Sequence, residues 1–390
     1  MSRLNLSNVK NTIAISTFFA DNSIGLFTYP VDQQKAFLNK MGEAKDDYDR
    51  SYKQYLCQRQ YQNKWRTVFL DFVFFFIYPA ILIIFWIKGA SIRKIDTSYD
   101  AIAAPGLTKL LPDELLCRYK ISEDLYYKKG ALRFKDVLFS LDVARKHPFS
   151  PLFATKITLK MAYYCYMLRS YSPKAIIVMN EYSFTSSILT MYCEQYNVKH
   201  IDALHGEKLF YIRDSYFRYH ECWIWDEHYR NLFINLKADP SQFRIAIPNS
   251  LKIDCASHRN DALYADYKYY LAKYSEDNLK QLVESMQFAS KNGFSVKYRP
   301  HPIWSDLDLL RKYVNENEIE MPRDVSILDS IANLKYAVGS FSTVLYQAYC
   351  SGKDVVLDDV AFIDEYNKLA SLDYILCKKG LPRLSELQAT

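Results

Sequence analysis

Residues that break regular structure are scarce in this chain. Its 390 residues include only 10 glycines and 13 prolines, which argues against a fibrous or low-complexity architecture. The eight cysteines form no Cys-x-x-Cys pair and no Cys/His cluster with zinc spacing, so we expect reduced, mostly buried thiols. No block of Lys and Arg is interleaved with aromatic residues as in known nucleic-acid motifs. The first residues lack an apolar run, so we expect no secretory signal and a protein that faces the cytoplasm.

Apolar residues are abundant enough for two domains, since they make up 49% of the sequence. Short β-prone runs alternate with helix-prone runs on both sides of Pro248, which is typical of parallel sheets covered by helices. We therefore predict an α/β protein with two Rossmann-like domains, residues 1–250 and 251–390. The predicted strands are 11–18, 100–104, 174–179, 199–204, 221–225, 243–247, 294–298, 335–338 and 354–357, and a helix over 261–291 is predicted to open the second domain.

Two short motifs in the second domain combine residue types that bind phosphate. Residues 296–302 read Val-Lys-Tyr-Arg-Pro-His-Pro, and residues 338–343 read Val-Gly-Ser-Phe-Ser-Thr. Each begins as a β-prone run and breaks at polar residues, so each should place its polar groups at the carboxyl end of a parallel strand, where open α/β sheets bind ligands. A cation, an imidazole and hydroxyl groups would meet a phosphate there: Arg299, His301, Ser340, Ser342 and Thr343.

These motifs, with residues 319–328 between them, resemble the carboxyl-terminal half of bacterial sialyltransferases and polysialyltransferases, which are GT-B enzymes. A looser resemblance, which adds His205-Gly206-Glu207, is to glycerophosphotransferases that use CDP-glycerol. The resemblance covers roughly residues 174–360. It implies two domains that face a central cleft, and a donor site for the CMP moiety formed by Arg299, Pro302, Glu320, Pro322, Gly339, Ser340, Ser342 and Thr343.

Transfer from a CMP-sugar needs an acid or cation for the leaving phosphate and a base for the acceptor hydroxyl. His301 is the candidate for the first role, whereas His147 has no strand before it and is not expected to take part. Glu207 and Glu181 follow predicted strands of the first domain and both qualify as the base, and His205 would add a phosphate or hydroxyl contact. The resembled sialyltransferases place the base in an acidic pair before Gly. This chain has His-Gly-Glu instead, so both carboxylates remain candidates.

No metal or other cofactor is expected. Asp358 and Asp359 form an acidic pair after a predicted strand, but a solvated strand end is a commoner use of such a pair than a Mg²⁺ site. No Asp-x-Asp occurs at a nucleotide-proximal strand end of the first domain. We therefore expect metal-independent transfer.

Residues 67–87 form an apolar stretch with one charge, Asp71, and one proline, Pro79. A bilayer span takes about 20 apolar residues, so the stretch is just long enough. Three alternatives remain: a hairpin kinked near Pro79 that dips into the cytoplasmic leaflet, a true span, and an apolar core helix. We favour the hairpin, because a span would put the strand predicted at 11–18 on the other side of the membrane.

The leading hypothesis is a membrane-associated glycosyltransferase on the cytoplasmic face of the inner membrane. It would transfer sialic acid from CMP-sialic acid to a glycan or lipid-linked glycan of a bacterial surface polysaccharide or lipopolysaccharide, such as an O-antigen or capsule. One alternative is a glycerophosphotransferase, or a glycosyltransferase with another nucleotide donor. The other is a non-catalytic nucleotide-sugar-binding assembly subunit. The partners expected are a nucleotide-sugar donor, the glycan acceptor and a membrane surface, without nucleic acid.

Overall fold

The computed structural model describes residues 29–60, 62 and 64–388, and these fold into two compact units. Unit 1 contains the described residues up to His205 together with Tyr211–Ile245. Unit 2 contains Gly206–Phe210 and the described residues from Ala246 onward. The strand predicted at 11–18 lies outside the described residues. The short segment Gly206–Phe210, which falls inside the predicted first domain, packs with unit 2.

Unit 1 is built on a six-stranded parallel sheet with the order β2-β1-β3-β4-β5-β6. The strand order reverses between β1 and β3, so the carboxyl ends of these two strands form the switch point where open α/β sheets bind ligands. The strands are β1 Ala101–Ala103, β2 Ile121–Ser122, β3 Ala175–Val178, β4 Lys199–Ala203, β5 Glu221–Ile224 and β6 Phe243–Ile245.

Helices of unit 1 cover this sheet and extend beyond it. They are α1 Val31–Met41, α2 Asp47–Arg59, α3 Lys64–Gly89, α4 Asp113–Arg118, α5 Phe134–Lys146, α6 Pro151–Tyr171, α7 Ser186–Glu194 and α8 Glu227–Asn235. Asp46 caps α2 by accepting from the backbone N–H of Asp49 at 2.8 Å. One core cluster joins α2, α5, α6 and α7 through buried side chains such as Tyr55, Val143 and Phe153.

The apolar stretch is one continuous helix, α3, and the predicted hairpin is therefore wrong. Pro79 lies inside the helix and is exposed. A proline removes one backbone donor, but an uninterrupted apolar run still satisfies its other backbone groups best as a helix. The helix is long and apolar enough to cross a membrane, a property shared with core helices of soluble proteins.

Unit 2 contains a four-stranded parallel sheet with the order β10-β9-β7-β8. Its strands are β7 Ala265–Tyr270, β8 Val296–Arg299, β9 Leu334–Gly339 and β10 Asp354–Leu357. The predicted α/β class with a parallel sheet in each half of the chain is thus confirmed. The helix predicted over 261–291 is wrong in its first half, because 265–270 forms the inner strand β7 and the helix begins only at Glu276.

The helices of unit 2 are α9 Glu276–Lys291, α10 Leu307–Leu310, α11 Ile327–Ala332, α12 Thr343–Cys350, α13 Ile363–Ser371 and α14 Leu384–Gln388. Ser275 opens α9 with a capping box to Asn278, which explains why the helix starts there. The core packs α9 against the sheet through fully buried residues such as Leu279, Leu282 and Met286.

Candidate functional site

The motifs at 296–302 and 338–343 lie at the carboxyl ends of β8 and β9, in the same sheet of unit 2, and these strands end at the same level. Arg299 of β8 pairs with Tyr270 of β7, and Tyr269 pairs with Val338 of β9, which places Gly339 beside Tyr270. Neighbouring strands lie about 4.8 Å apart, so the two motifs are separated by about 10 Å across β7. The strand register therefore places both motifs at one carboxyl edge of the sheet, as the sequence predicts.

The strand order of unit 2 reverses between β7 and β9. A switch point of this kind opens a crevice at the carboxyl ends of the two strands. The loop after β7, residues 271–275, therefore lies between the two motifs. It carries Lys273, which is exposed and has no ion-pair partner in the described part of the chain. No sequence motif singles out Lys273, which lies within the helix predicted over 261–291.

His301 is held in one tautomer by the turn that follows it. Its Nδ1 accepts from the backbone N–H groups of Ile303 (3.1 Å) and Trp304 (3.3 Å). With two donors facing Nδ1, the ring hydrogen resides on Nε2. The His301 backbone N–H donates to Ser305 Oγ at 2.8 Å, and Ser305 donates to the Ala272 carbonyl at 2.9 Å. The half-buried imidazole thus presents an Nε2–H donor, and its loop is tied to the loop after β7.

The serine motif starts α12. Ser342 is the N-cap, and its Oγ accepts from the Val344 backbone N–H at 3.2 Å, which leaves the hydroxyl hydrogen free to donate. Ser340 instead forms a side-chain hydrogen bond with Glu365, whose pKa is raised by burial. Thr343 is the exposed first residue of the helix. A Cβ on Gly339 would lie 3.1 Å from the Tyr270 carbonyl, so only a residue without a side chain fits easily there.

Tyr374 connects Glu207 to the serine motif by hydrogen bonds. The Tyr374 hydroxyl donates to Glu207 Oε1 at 3.4 Å and is also hydrogen bonded to the Ser342 backbone. Glu207 Oε2 is buried without a hydrogen-bond partner among the described residues. Burial raises the pKa of Glu207 to about 8, an effect that the Tyr374 hydrogen bond only partly offsets. Burial likewise raises the pKa of Tyr374 well above its usual value. Tyr374, 167 residues away, could not have been identified from the motifs.

Arg299 and Glu320 form a buried ion-pair network with Lys268. Arg299 Nη1 lies 2.7 Å from Glu320 Oε1, and Lys268 Nζ lies 2.6 Å from Glu320 Oε2. Arg299 Nη2 also donates to the Val325 carbonyl at 2.8 Å. These partners tie β7 and β8 to the turn that contains the half-buried Pro322. Two cations against one carboxylate leave a positive charge below the edge where the motifs end, and this charge favours an anionic ligand.

Pro302 lies in the exposed turn after His301, next to the Nε2–H donor of that residue rather than below it.

Two of the predicted site residues, Glu181 and His205, belong to unit 1. Glu181 follows β3, at the switch point of unit 1, and is fully buried. Its Oε2 lies 3.8 Å from Nδ1 of His205, which follows β4 and is 31% exposed. Glu181 and His205 are therefore brought together, and Glu207 is grouped with the serine motif of unit 2.

The acidic pair Asp358-Asp359 is engaged by protein donors. Asp358 accepts from Tyr269 and from the backbone N–H groups of Val360 (2.8 Å) and Ala361 (2.9 Å). Asp359 accepts from the backbone N–H (2.9 Å) and hydroxyl (2.6 Å) of Ser385. Within residues 29–60, 62 and 64–388, no group of three or more His, Cys, Asp or Glu side chains is placed to hold a metal ion.

No protein-family model matches the sequence, and no curated protein matches it significantly. The fold is similar to that of the glycotransferase of kitacinnamycin (TM-score 0.40, 10% identity, 74% of this chain and 88% of that chain). It is also similar to the wall teichoic acid polymerase TagF (0.33, 10%, 65% and 76%) and to a mutant of S. aureus TarM in complex with UDP (0.31, 12%, 51% and 48%). For at least three of the matched structures the chain spans only about half of the other protein, 57%, 48% and 55%. Similarities this low assign no activity to the chain.

Proposed function

We propose that this chain is a glycosyltransferase that transfers a sugar, expected to be sialic acid from CMP-sialic acid, to a glycan acceptor of a bacterial surface polysaccharide or lipopolysaccharide. One observation carries the proposal: the Nε2–H of His301 and the free hydroxyl hydrogen of Ser342 belong to loops at one carboxyl edge, on either side of the switch strand β7. Hydrogen-bond donors in these positions are suited to binding a phosphate.

In this mechanism the bond between the anomeric carbon and the phosphate oxygen breaks, and negative charge develops on the departing CMP. His301 donates a hydrogen bond from Nε2 to that phosphate, and Ser342 donates from its hydroxyl. Lys273 adds positive charge from the loop between them. These donors act on charge that is larger in the transition state than in the bound donor, so they accelerate the reaction.

The base for the acceptor hydroxyl is Glu207 or Glu181. With a pKa of about 8, Glu207 is protonated at neutral pH. Only as the pH rises does it become a carboxylate that can accept the proton of the acceptor hydroxyl. Transfer that uses Glu207 as base therefore increases towards pH 8, whereas transfer that uses it as an acid declines there. Glu181 lies beside His205, which gives unit 1 a carboxylate–imidazole pair for the same task.

The alternative of a glycerophosphotransferase remains, because the same edge would accept the phosphates of CDP-glycerol and His205-Gly206-Glu207 fits that resemblance. The test is a donor screen with the purified full chain, in which free CMP, CDP-linked and UDP-linked products are measured. Turnover of CMP-sialic acid supports the proposal, and turnover of CDP-glycerol alone supports the alternative. Binding of nucleotide without turnover of any donor supports a non-catalytic assembly subunit.

The proposal includes transfer without a metal ion at the cytoplasmic face of the inner membrane. The protein donors bound to Asp358 and Asp359 support the first part, and the exposed apolar helix α3 supports association with a membrane. Loss of activity in EDTA that Mg²⁺ restores would refute metal-independent transfer.

A further inference from the structure

The helix α3 exposes most of its apolar side chains. Its most apolar stretch has a mean hydropathy of 2.6, yet only 11% of that stretch is buried. A core helix would be mostly buried, so this surface needs an apolar partner. The exposed side chains include Trp65, Phe69, Phe72, Phe75, Phe76, Ile83, Ile84, Trp86 and Ile87.

The other side of α3 is fixed to unit 1 along its length. Asp71 accepts from the first turn of α6 at 3.1 Å, the Tyr78 hydroxyl donates to a carbonyl of α5 at 2.9 Å, and the Phe85 carbonyl accepts from the Leu132 N–H at 2.9 Å. These contacts span about 21 Å of helix. A transmembrane orientation would break all of them, so the helix lies along the surface of unit 1.

A cationic cleft opens next to the carboxyl end of α3. It has a volume of about 550 Å³ and is lined by Ile92, Lys94, Arg133, Phe134, Lys135 and Arg169. Arg169 is paired with Asp136 at 3.1 Å, while Lys94 and Lys135 are exposed and have no ion-pair partner in the described part of the chain. Four cations thus line the cleft, and one of them, Arg169, is paired with a carboxylate.

We propose that this cleft binds the phosphate headgroup of an anionic lipid while the exposed face of α3 lies in the same leaflet. The Ile92 N–H bonds to the carbonyl of Gly89, the last residue of α3, so cleft and helix are continuous. Phe134, which is 64% exposed, adds an apolar contact at the cleft. Positive charge beside an apolar face is the combination that an anionic membrane surface attracts. The inference rests on the membrane association proposed above and adds the lipid class.

The test measures binding of the full chain to phosphatidylcholine vesicles with and without phosphatidylglycerol. Each basic side chain near an anionic surface strengthens binding by about fivefold. The double variant Lys94→Ala/Lys135→Ala should therefore bind anionic vesicles about 25-fold more weakly and neutral vesicles as the wild type does. The matched control, Lys252→Ala/Lys291→Ala, removes two exposed charges from unit 2 and should bind as the wild type.

Three results would overturn the headgroup site: equal binding of the cleft variant and the wild type to anionic vesicles, an equal loss in the control variant, or competition by inorganic pyrophosphate at the concentration of lipid phosphate. Failure of the wild type to bind any vesicle would overturn membrane association itself. So would a dimer that buries α3, detected by analytical ultracentrifugation. The glycosyltransferase proposal is independent of these results, since the donor screen uses no membrane.

Discussion

The tautomer of His301 decides which residue can replace it. Two backbone N–H groups face its Nδ1, so the ring acts through its Nε2–H donor. We expect His301→Ala to lower kcat by about 10²- to 10³-fold. His301→Gln, which supplies a neutral N–H donor, should recover part of this loss, and His301→Lys should not. A better recovery by Lys would mean that a cation is what the phosphate needs.

Steady-state kinetics with the active donor provides the measurement. His147→Ala is the control, because this ring stacks on Tyr52 in unit 1, with centroids 3.8 Å apart, whereas both motifs belong to unit 2. It should retain nearly all activity.

Burial also makes Glu207 a pH-dependent element of stability. Its pKa is about 8 in the folded protein against 4.5 for an exposed glutamate. A group whose pKa is raised by folding contributes its full stabilisation to the folded state at pH values below its unfolded pKa. This stabilisation is lost as the pH rises to the folded pKa. The free energy of unfolding should therefore fall, relative to that of Glu207→Gln, by up to about 1.4 kcal/mol per pH unit between about pH 5 and 8. Urea unfolding at several pH values measures this, and parallel profiles would contradict it.

Among the secondary-structure elements, β7 and β8 depend on one carboxylate. Burial disfavours the charge of Glu320, but Lys268 and Arg299 outweigh it and lower its pKa. We expect Glu320→Gln to cost about 3 to 5 kcal/mol, because two buried cations then lack their counterion. Adding Lys268→Met should recover part of that free energy. An additive, larger loss in the double variant, measured by urea unfolding, would show that the network is not coupled.

The exposed face of α3 should be separable from its packed face. Replacing Phe72, Phe75 and Phe76 by serine removes about 1.5 to 3 kcal/mol of apolar burial in lipid for each side chain, so the protein should move to the soluble fraction. The melting temperature should change little, because these rings are more than 60% exposed. Leu82→Ser, on the buried face, is the contrasting variant and should destabilise the fold. Unfolding of the triple variant would favour the core-helix alternative.

For the molecule as a whole, two compact units that each contain a hydrophobic core cluster predict that unfolding is not two-state. Phe153→Ala in unit 1 and Leu282→Ala in unit 2 should each cost about 3 to 5 kcal/mol and should shift different transitions in calorimetry. The donor nucleotide should stabilise the transition that Leu282→Ala lowers, because both motifs belong to unit 2. A single transition shifted equally by both variants would contradict this.

Much of the architecture was determined locally. Strands such as β3 and β10 are apolar runs bounded by polar residues, and the two motifs end their strands where the sequence indicates, so the parallel α/β class and one edge of the candidate site were predictable. The strand β7 was not. Its Tyr-rich sequence with Lys268 in the middle lacks a buried-strand pattern. The lysine is accommodated inside the sheet because it pairs with Glu320, 52 residues away.

The sequence by itself determined the fold class, the apolar helix and the residue types offered to a phosphate, because these follow from short-range periodicity and composition. Only the tertiary structure decided which of those residues meet. It gave Arg299 a buried carboxylate, joined Glu207 to Tyr374 beside Ser342, and opened a cationic cleft at the end of α3. Burial and pairing are set by residues distant in the chain, and they control pKa values and the charges left free for ligands.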